Sequence, residues 1–169
     1  MFIEGIRERM SQLRARLVLL RSCSGVGLSP RVSGLLWIHG EGEVWIGDRV
    51  FFDAATAPIE ILSWAGARVV IGDDVELGGG TSIEATRSIR LGNGVRIGAY
   101  CKVMDNHFHP LVGNRRERPV PQPVVLEDGV VLGPCSIVLA GAHLARTSRF
   151  GAGSIIKRSA AAPIQPRAS

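Results

Sequence analysis

Two histidines separated by a single residue follow a carboxylate in the stretch Met104-Asp105-Asn106-His107-Phe108-His109-Pro110. The chain has only 4 His in its 169 residues, so this clustering calls for an explanation. A neutral imidazole is the side chain best poised to take up a proton near neutral pH. An adjacent carboxylate can fix its tautomer and stabilise the imidazolium that forms. The chemistry this combination suits is acyl transfer, in which a hydroxyl or amine loses a proton as it attacks a thioester. An isolated His-x-His is otherwise an ordinary feature of a surface loop, so its surroundings decide.

Those surroundings are periodic. Leu126, Leu132, Val138, Leu144, Phe150 and Ile156 place an apolar residue at every sixth position. Ile71, Leu77 and Ile83, then Leu91, Ile97 and Val103, repeat the pattern with one two-residue slip between the halves. Ile46 and Phe52 are a fainter start. Gly follows the anchor in Ile46-Gly47, Ile71-Gly72, Leu77-Gly78, Leu91-Gly92, Ile97-Gly98, Leu132-Gly133 and Phe150-Gly151. Four residues after an anchor stands a small or β-branched residue, as in Val75, Thr81, Val95, Cys101, Val130, Ser136, Ala142, Ser148 and Ser154.

A strand alternates with period two and a helix repeats every 3.6 residues, so neither alone yields a strict six. A short strand followed by a tight corner does. Three such units close a triangular coil, and successive coils stack at about 4.8 Å, so each buries its apolar face only against its neighbours. The expectation is an all-β solenoid, with glycines such as that of Asn93-Gly94 supplying the positive φ of the corners. The histidines lie where the period breaks, after Val103, in a polar segment that runs to Pro123 before the coils resume at Val124. A loop expelled from a regular stack adds nothing to its core and is a place for function.

Over roughly residues 38–158 these repeats resemble the hexapeptide-repeat acyltransferases, such as the galactoside, maltose and xenobiotic acetyltransferases and the polysaccharide O-acetyltransferases. The resemblance implies a left-handed parallel β-helix and an acyl-CoA co-substrate, acetyl-CoA first, with no tightly bound cofactor and no metal. It also implies transfer to a small acceptor, a sugar or amino-sugar, by a homotrimer. Many relatives carry Asp-(Asn/Thr/Ser)-Asp-Phe-His-Pro at this break. His109 matches their reactive histidine and is the expected base; His107, where an Asp is commoner, is the alternative, and Asp105 the expected partner. Asn106 and Arg115 are the expected acceptor-binding residues. Gly133-Pro134 and Gly151-Ala152, with Lys157 and Arg158, resemble the coils along which CoA lies. Pro134 has no N–H to offer an oxyanion where some relatives have a donor. The chain also lacks their Gly-x-Pro-Ala turn near its end.

The remaining features set bounds. Ile3, Ile6, Met10, Leu13, Leu17 and Leu20 recur at helical spacing among arginines, which predicts an amphipathic helix over 2–21. The division expected is residues 1–24 for this helical segment, 25–158 for the β-helix with an inserted loop at 105–123, and 159–169 for a tail. A basic amphipathic helix can rest on an anionic membrane, but packing on the main domain or a neighbouring subunit is the favoured reading. The net charge of +5 comes mostly from scattered Arg without aromatic platforms, so no nucleic-acid partner is expected. Cys23, Cys101 and Cys135 form neither a disulfide framework nor a metal pair, and with no leader pattern they point to the cytoplasm. His39 and His143 are expected to be structural. Two other readings remain on the same fold: a non-catalytic scaffold, and a γ-class carbonic anhydrase in which His107, His109 and His143 would hold zinc.

Overall fold

The computed structural model describes residues 17, 19–107 and 119–157. Within them the chain winds through six coils. The first holds β1 (Gly25–Val26) and β2 (Arg31–His39), and the second β3 (Glu43–Ile46) and β4 (Phe51–Ser63). The third holds β5 (Arg68–Ile71), β6 (Glu76–Gly78) and β7 (Ser82–Ala85). The fourth holds β8 (Ser88–Leu91), β9 (Arg96–Ile97) and β10 (Lys102–Met104). Beyond the loop, β11 (Val124–Leu126), β12 (Val131–Leu132) and β13 (Ile137–Val138) form the fifth coil. The sixth is β14 (His143–Leu144), β15 (Arg149–Phe150) and β16 (Ile155–Ile156).

All strand pairings among the described residues are parallel and join one coil to the next. One face of the prism is the series β1-β3-β5-β8-β11-β14. The other two faces are continuous through β4, whose residues 51–53 pair with β6 and whose residues 60–63 pair with β7. The triangular all-β solenoid read from the period is therefore the fold. Between the fifth and sixth coils Val125 lies against His143 and Val131 against Arg149, three hexapeptides apart with no insertion.

The period is that of the inward anchors. Ile71, Leu77, Ile83, Leu91, Ile97, Val103, Leu126, Leu132, Val138, Leu144 and Ile156 are each at most 3% exposed. Phe150 departs from the pattern: it is only partly buried, whereas Leu144 and Ile156 on the same last coil are buried. The small corner residues other than Ser154 are buried too, and their hydroxyls have partners. Ser136 Oγ donates to the Gly133 carbonyl at 2.7 Å, and Ser148 Oγ to the Ala145 carbonyl at 2.7 Å.

Gly94 has the positive φ expected of a corner, but the glycines directly after the anchors serve another purpose. Gly47, Gly72 and Gly92 do not have positive φ; that conformation falls two positions later, at Arg49, Asp74 and Gly94 (φ 55, 56 and 64). What demands glycine is proximity. A Cβ at Gly47, Gly72 or Gly92 would stand 2.5, 2.6 or 2.5 Å from the side-chain oxygen of Asp73, Asn93 or Asp128. Those oxygens form a column along one edge. Asp73 accepts the N–H of Asp48 at 2.8 Å, Asn93 that of Asp73 at 2.8 Å, and Asp128 that of Asn93 at 2.9 Å. Each coil thus satisfies a corner N–H of the coil before it.

Of the expected N-terminal helix, the described residues 17 and 19–22 are helical, and the helix ends at Ser22 before β1. Leu19 is buried, whereas Leu17 and Leu20, expected on the apolar stripe, are half-exposed. Among the described residues no helix is long and apolar enough to cross a membrane. The tail at 159–169 lies outside them.

Candidate active site

Both irregularities of the period fall on one edge of the prism. The two-residue slip places Thr86 and Arg87 between β7 and β8, and the loop leaves after β10. Asp105, the first loop residue, joins the two. Its Oδ1 accepts the N–H and the hydroxyl of Thr86 at 2.8 and 2.9 Å, and its Oδ2 accepts the N–H groups of Arg87 and Ser88, both at 2.7 Å. Its own carbonyl accepts the N–H of Gln122 at 2.8 Å, closing the neck of the loop, and the Gln122 carbonyl accepts the N–H of Gly141 at 3.1 Å.

The side chain of Asp105 is fully buried. A carboxylate has about four acceptor positions, and these bonds fill them. These bonds give Asp105 a structural role: it caps the slip and anchors the loop, while His109, its expected partner, lies outside the described residues. The reason is local. The slip turns three successive N–H groups inward, and buried N–H groups require partners.

His107 stands just beyond this anchor, exposed, on the wall shared by two clefts. The larger, of about 620 Å³, is lined by Trp64, Thr86, Asn106 and His107 with Pro119, Val120 and Pro121. The smaller, of about 380 Å³, is lined by His107, Gln122, Leu139, Ala140 and Lys157 with Pro119 and Val120. The structure thus brings Lys157 and His107 to one cleft and Asn106 and His107 to the other. Asn106 is 5% exposed, and neither of its amide atoms has a hydrogen-bond partner among the described residues. His109, Arg115 and Arg158 lie outside the described residues.

Gly133, Pro134, Gly151 and Ala152 gather at a different edge. A Cβ on Gly133 would be 2.5 Å from the Ala152 nitrogen, and Gly153 N–H donates to the Pro134 carbonyl at 2.8 Å. Within one chain they do not line either cleft beside His107. Trp64 and Thr86 do, and sequence reasoning missed both. The indole N–H of Trp64 donates to Glu84 Oε1 at 3.0 Å, which fixes the half-exposed ring against the cleft. The slip between Ile83 and Leu91 was the signal for Thr86: a second break in the period marks the same edge as the first.

The other titratable groups have local duties. His39 meets Glu60 at 2.9 Å and His143 meets Glu127 at 2.7 Å, each across one coil boundary on the surface. Among the described residues no three His, Cys, Asp or Glu side chains gather as a metal site. Burial raises the Cys101 thiol above its ordinary range and pushes Cys23 up to about 11, so both are poor nucleophiles. A third cleft, of about 490 Å³, carries Arg31, Arg49 and Arg96, but Arg49 is tied to Asp74 at 2.6 Å and Glu76 lies beside Arg96.

The class that fold and site define is a parallel β-helix with a histidine-bearing loop rooted between two clefts. Solved structures share that fold. One is a single-site mutant of AntD, an N-acyltransferase from Bacillus cereus, in complex with dTDP and coenzyme A. It is 20% identical, covers 86% of this chain and 80% of that one, and superposes with a TM-score of 0.71. Another AntD mutant, in complex with dTDP-4-amino-4,6-dideoxyglucose and coenzyme A, is 18% identical over 86% of this chain and 79% of that one, with a TM-score of 0.67. No family model and no curated protein matches the sequence.

Proposed function

We propose that this chain is an acyl-CoA-dependent acyltransferase acting on a hydroxyl or amino group of a sugar. His109 is the general base by its place in the motif, and His107 is the second candidate by its place on both clefts. The observation that carries the reading is the position of His107 on the wall between two clefts of a β-helix. A transferase needs its base where donor and acceptor meet. Lys157 on the smaller cleft suits the phosphates of acyl-CoA, and the larger, more apolar cleft is left for the acceptor. The AntD structures, with CoA and in one case an amino-sugar nucleotide bound, support the pairing of ligands on this fold.

The Gly133–Pro134 and Gly151–Ala152 edge completes the site in a homotrimer, where one chain would present this edge to the clefts of the next. Closed cyclic symmetry is a common solution for identical chains. The test is release of CoA thiol from acetyl-CoA with dTDP-4-amino-4,6-dideoxyglucose and a panel of other sugars and amino-sugars. Acceptor-dependent thiol release is expected. A trimer that neither binds CoA nor releases thiol with any acceptor is a scaffold, and the reading fails.

A further inference from the structure

We infer that Asn106 is the donor that stabilises the oxyanion of the transfer reaction, an assignment that rests on the acyltransferase reading above. The other buried polar side chains with described bonds all have partners: Ser63, Thr81, Asp105, Ser136 and Ser148 each donate or accept at least one hydrogen bond. Asn106 has none, at Nδ2 or at Oδ1, and is 5% exposed. Leaving a buried polar group unpaired destabilises the folded chain. Such an unpaired group in a protein calls for an explanation, a ligand or a catalytic role among them. Asn106 lines the same cleft as His107.

The surroundings give the amide a fixed position. Its neighbour Asp105 is held by Thr86, Arg87, Ser88 and Gln122, so the backbone at 105–106 is anchored on both the slip and the return of the loop. Backbone donors at the Gly133–Pro134 edge are spent or missing. Gly133 N–H is given to the Phe150 carbonyl and Cys135 N–H to the Ala99 carbonyl, both at 2.8 Å, and Pro134 has none. A buried, unpaired amide N–H beside an apolar-lined cleft is the type of donor that is worth most to a developing charge.

The step balances as follows. The acceptor oxygen or nitrogen bonds to the thioester carbonyl carbon while the loop histidine takes its proton. The carbonyl π pair moves onto oxygen, and that oxyanion accepts a hydrogen bond from Asn106 Nδ2–H. The pair then returns, the C–S bond breaks, and the leaving sulfur takes the proton from the imidazolium. The products are the acylated acceptor and free CoA thiol, and Asn106 ends unchanged.

The test compares wild-type chain with Asn106→Ala and Asn106→Asp, using acetyl-CoA with the acceptor that supports wild-type thiol release, and acetyl-CoA alone for slow hydrolysis. Loss of an oxyanion donor lowers kcat on the order of 10²- to 10³-fold. Both variants should show that fall with an unchanged KM for acceptor, and acceptor-free hydrolysis should fall by the same factor. Asn106→Ala should melt no lower than wild type, because the amide it removes had no partner; Asn106→Asp keeps the shape if the alanine variant folds poorly. An unchanged kcat, or a raised acceptor KM with hydrolysis spared, overturns the assignment and makes Asn106 an acceptor-binding residue. A wild-type chain without any acyl transfer overturns the enzyme reading, and this assignment with it.

Discussion

Asp105 accepts the backbone N–H of Ser88 at 2.7 Å, and this bond ties the first residue of the loop to the first residue of β8. The loop is therefore not a free excursion from the coils. Its root is built into the previous turn of the solenoid by a buried carboxylate, and the clefts beside His107 inherit that rigidity.

Removing the carboxylate tests this. Asp105→Ala leaves the N–H groups of Thr86, Arg87 and Ser88 without their partner, each at about 1–3 kcal/mol when buried. A stability loss on the order of 3–5 kcal/mol is expected in urea unfolding, with a smaller loss for Asp105→Asn, which retains an acceptor oxygen. An unchanged midpoint in Asp105→Ala rejects the capping role.

The histidines come next. His109→Ala should reduce transfer on the order of 10² to 10⁴-fold while leaving the melting temperature in place, because a loop base contributes little to the stacked core. Thiol release by purified His109→Ala and His107→Ala, measured side by side, checks it. Wild-type turnover in the first and loss in the second moves the base to His107.

Much of this was legible in the sequence for a physical reason. In a solenoid each anchor meets its equivalents on the coils above and below, so the spacing of Leu126, Leu132, Val138 and Leu144 is also the spacing of contacts in space. The break at Met104 was visible as a lapse of that spacing. What was not legible is side-chain direction across coils. Nothing near Asp105 in sequence announces that its oxygens meet Thr86, Arg87 and Ser88 at the corner between the third and fourth coils. Trp64 reaches the site from two coils earlier by the same stacking, a proximity no local motif records.

Stacking also separates the glycines. A Cβ at Gly72 would press on Asn93 Oδ1 at 2.6 Å and on the Gly92 backbone at 2.8 Å, whereas a Cβ at Gly151 meets nothing within 4 Å. Gly72→Ala should cost about 1–3 kcal/mol through forced shifts in a packed edge. Gly151→Ala should leave unfolding unchanged. Equal midpoints for the two variants contradict the column of oxygens as the reason for glycine.

Acid should weaken the surface pairs in a predictable direction. The Asp74 carboxyl lies below its ordinary 3.8, chiefly through its bond with Arg49, and Glu127 lies below its ordinary 4.5, chiefly through its bond with His143. A folded-state value below the unfolded one means that stability is present above the ordinary value and lost as pH falls through the folded value. The stability gap between wild type and Arg49→Met should therefore be present at about pH 6 and shrink toward about pH 3. Exposure and salt keep it small. Denaturant midpoints at both pH values measure it, and a gap that widens in acid reverses the sign argued here.

The arrangement of the two edges predicts which defects complement one another. Lys157 shares a cleft with His107 in its own chain, whereas Gly151 sits on another edge and in the proposed trimer would reach the next chain's cleft. Co-expressed His109→Ala and Gly151→Trp chains, each inactive alone, should then form some clefts with a sound base from one chain and a sound edge from the other. Random assembly in a closed ring makes about one quarter of the clefts of this kind, so about a quarter of wild-type thiol release should return. The same mixture with Lys157→Ala in place of Gly151→Trp should recover nothing beyond the residual activity of its parents, because base and cation fail or survive within one chain. Recovery in the second mixture but not the first reverses the assignment of edges, and a fully active monomer by light scattering removes the shared cleft altogether.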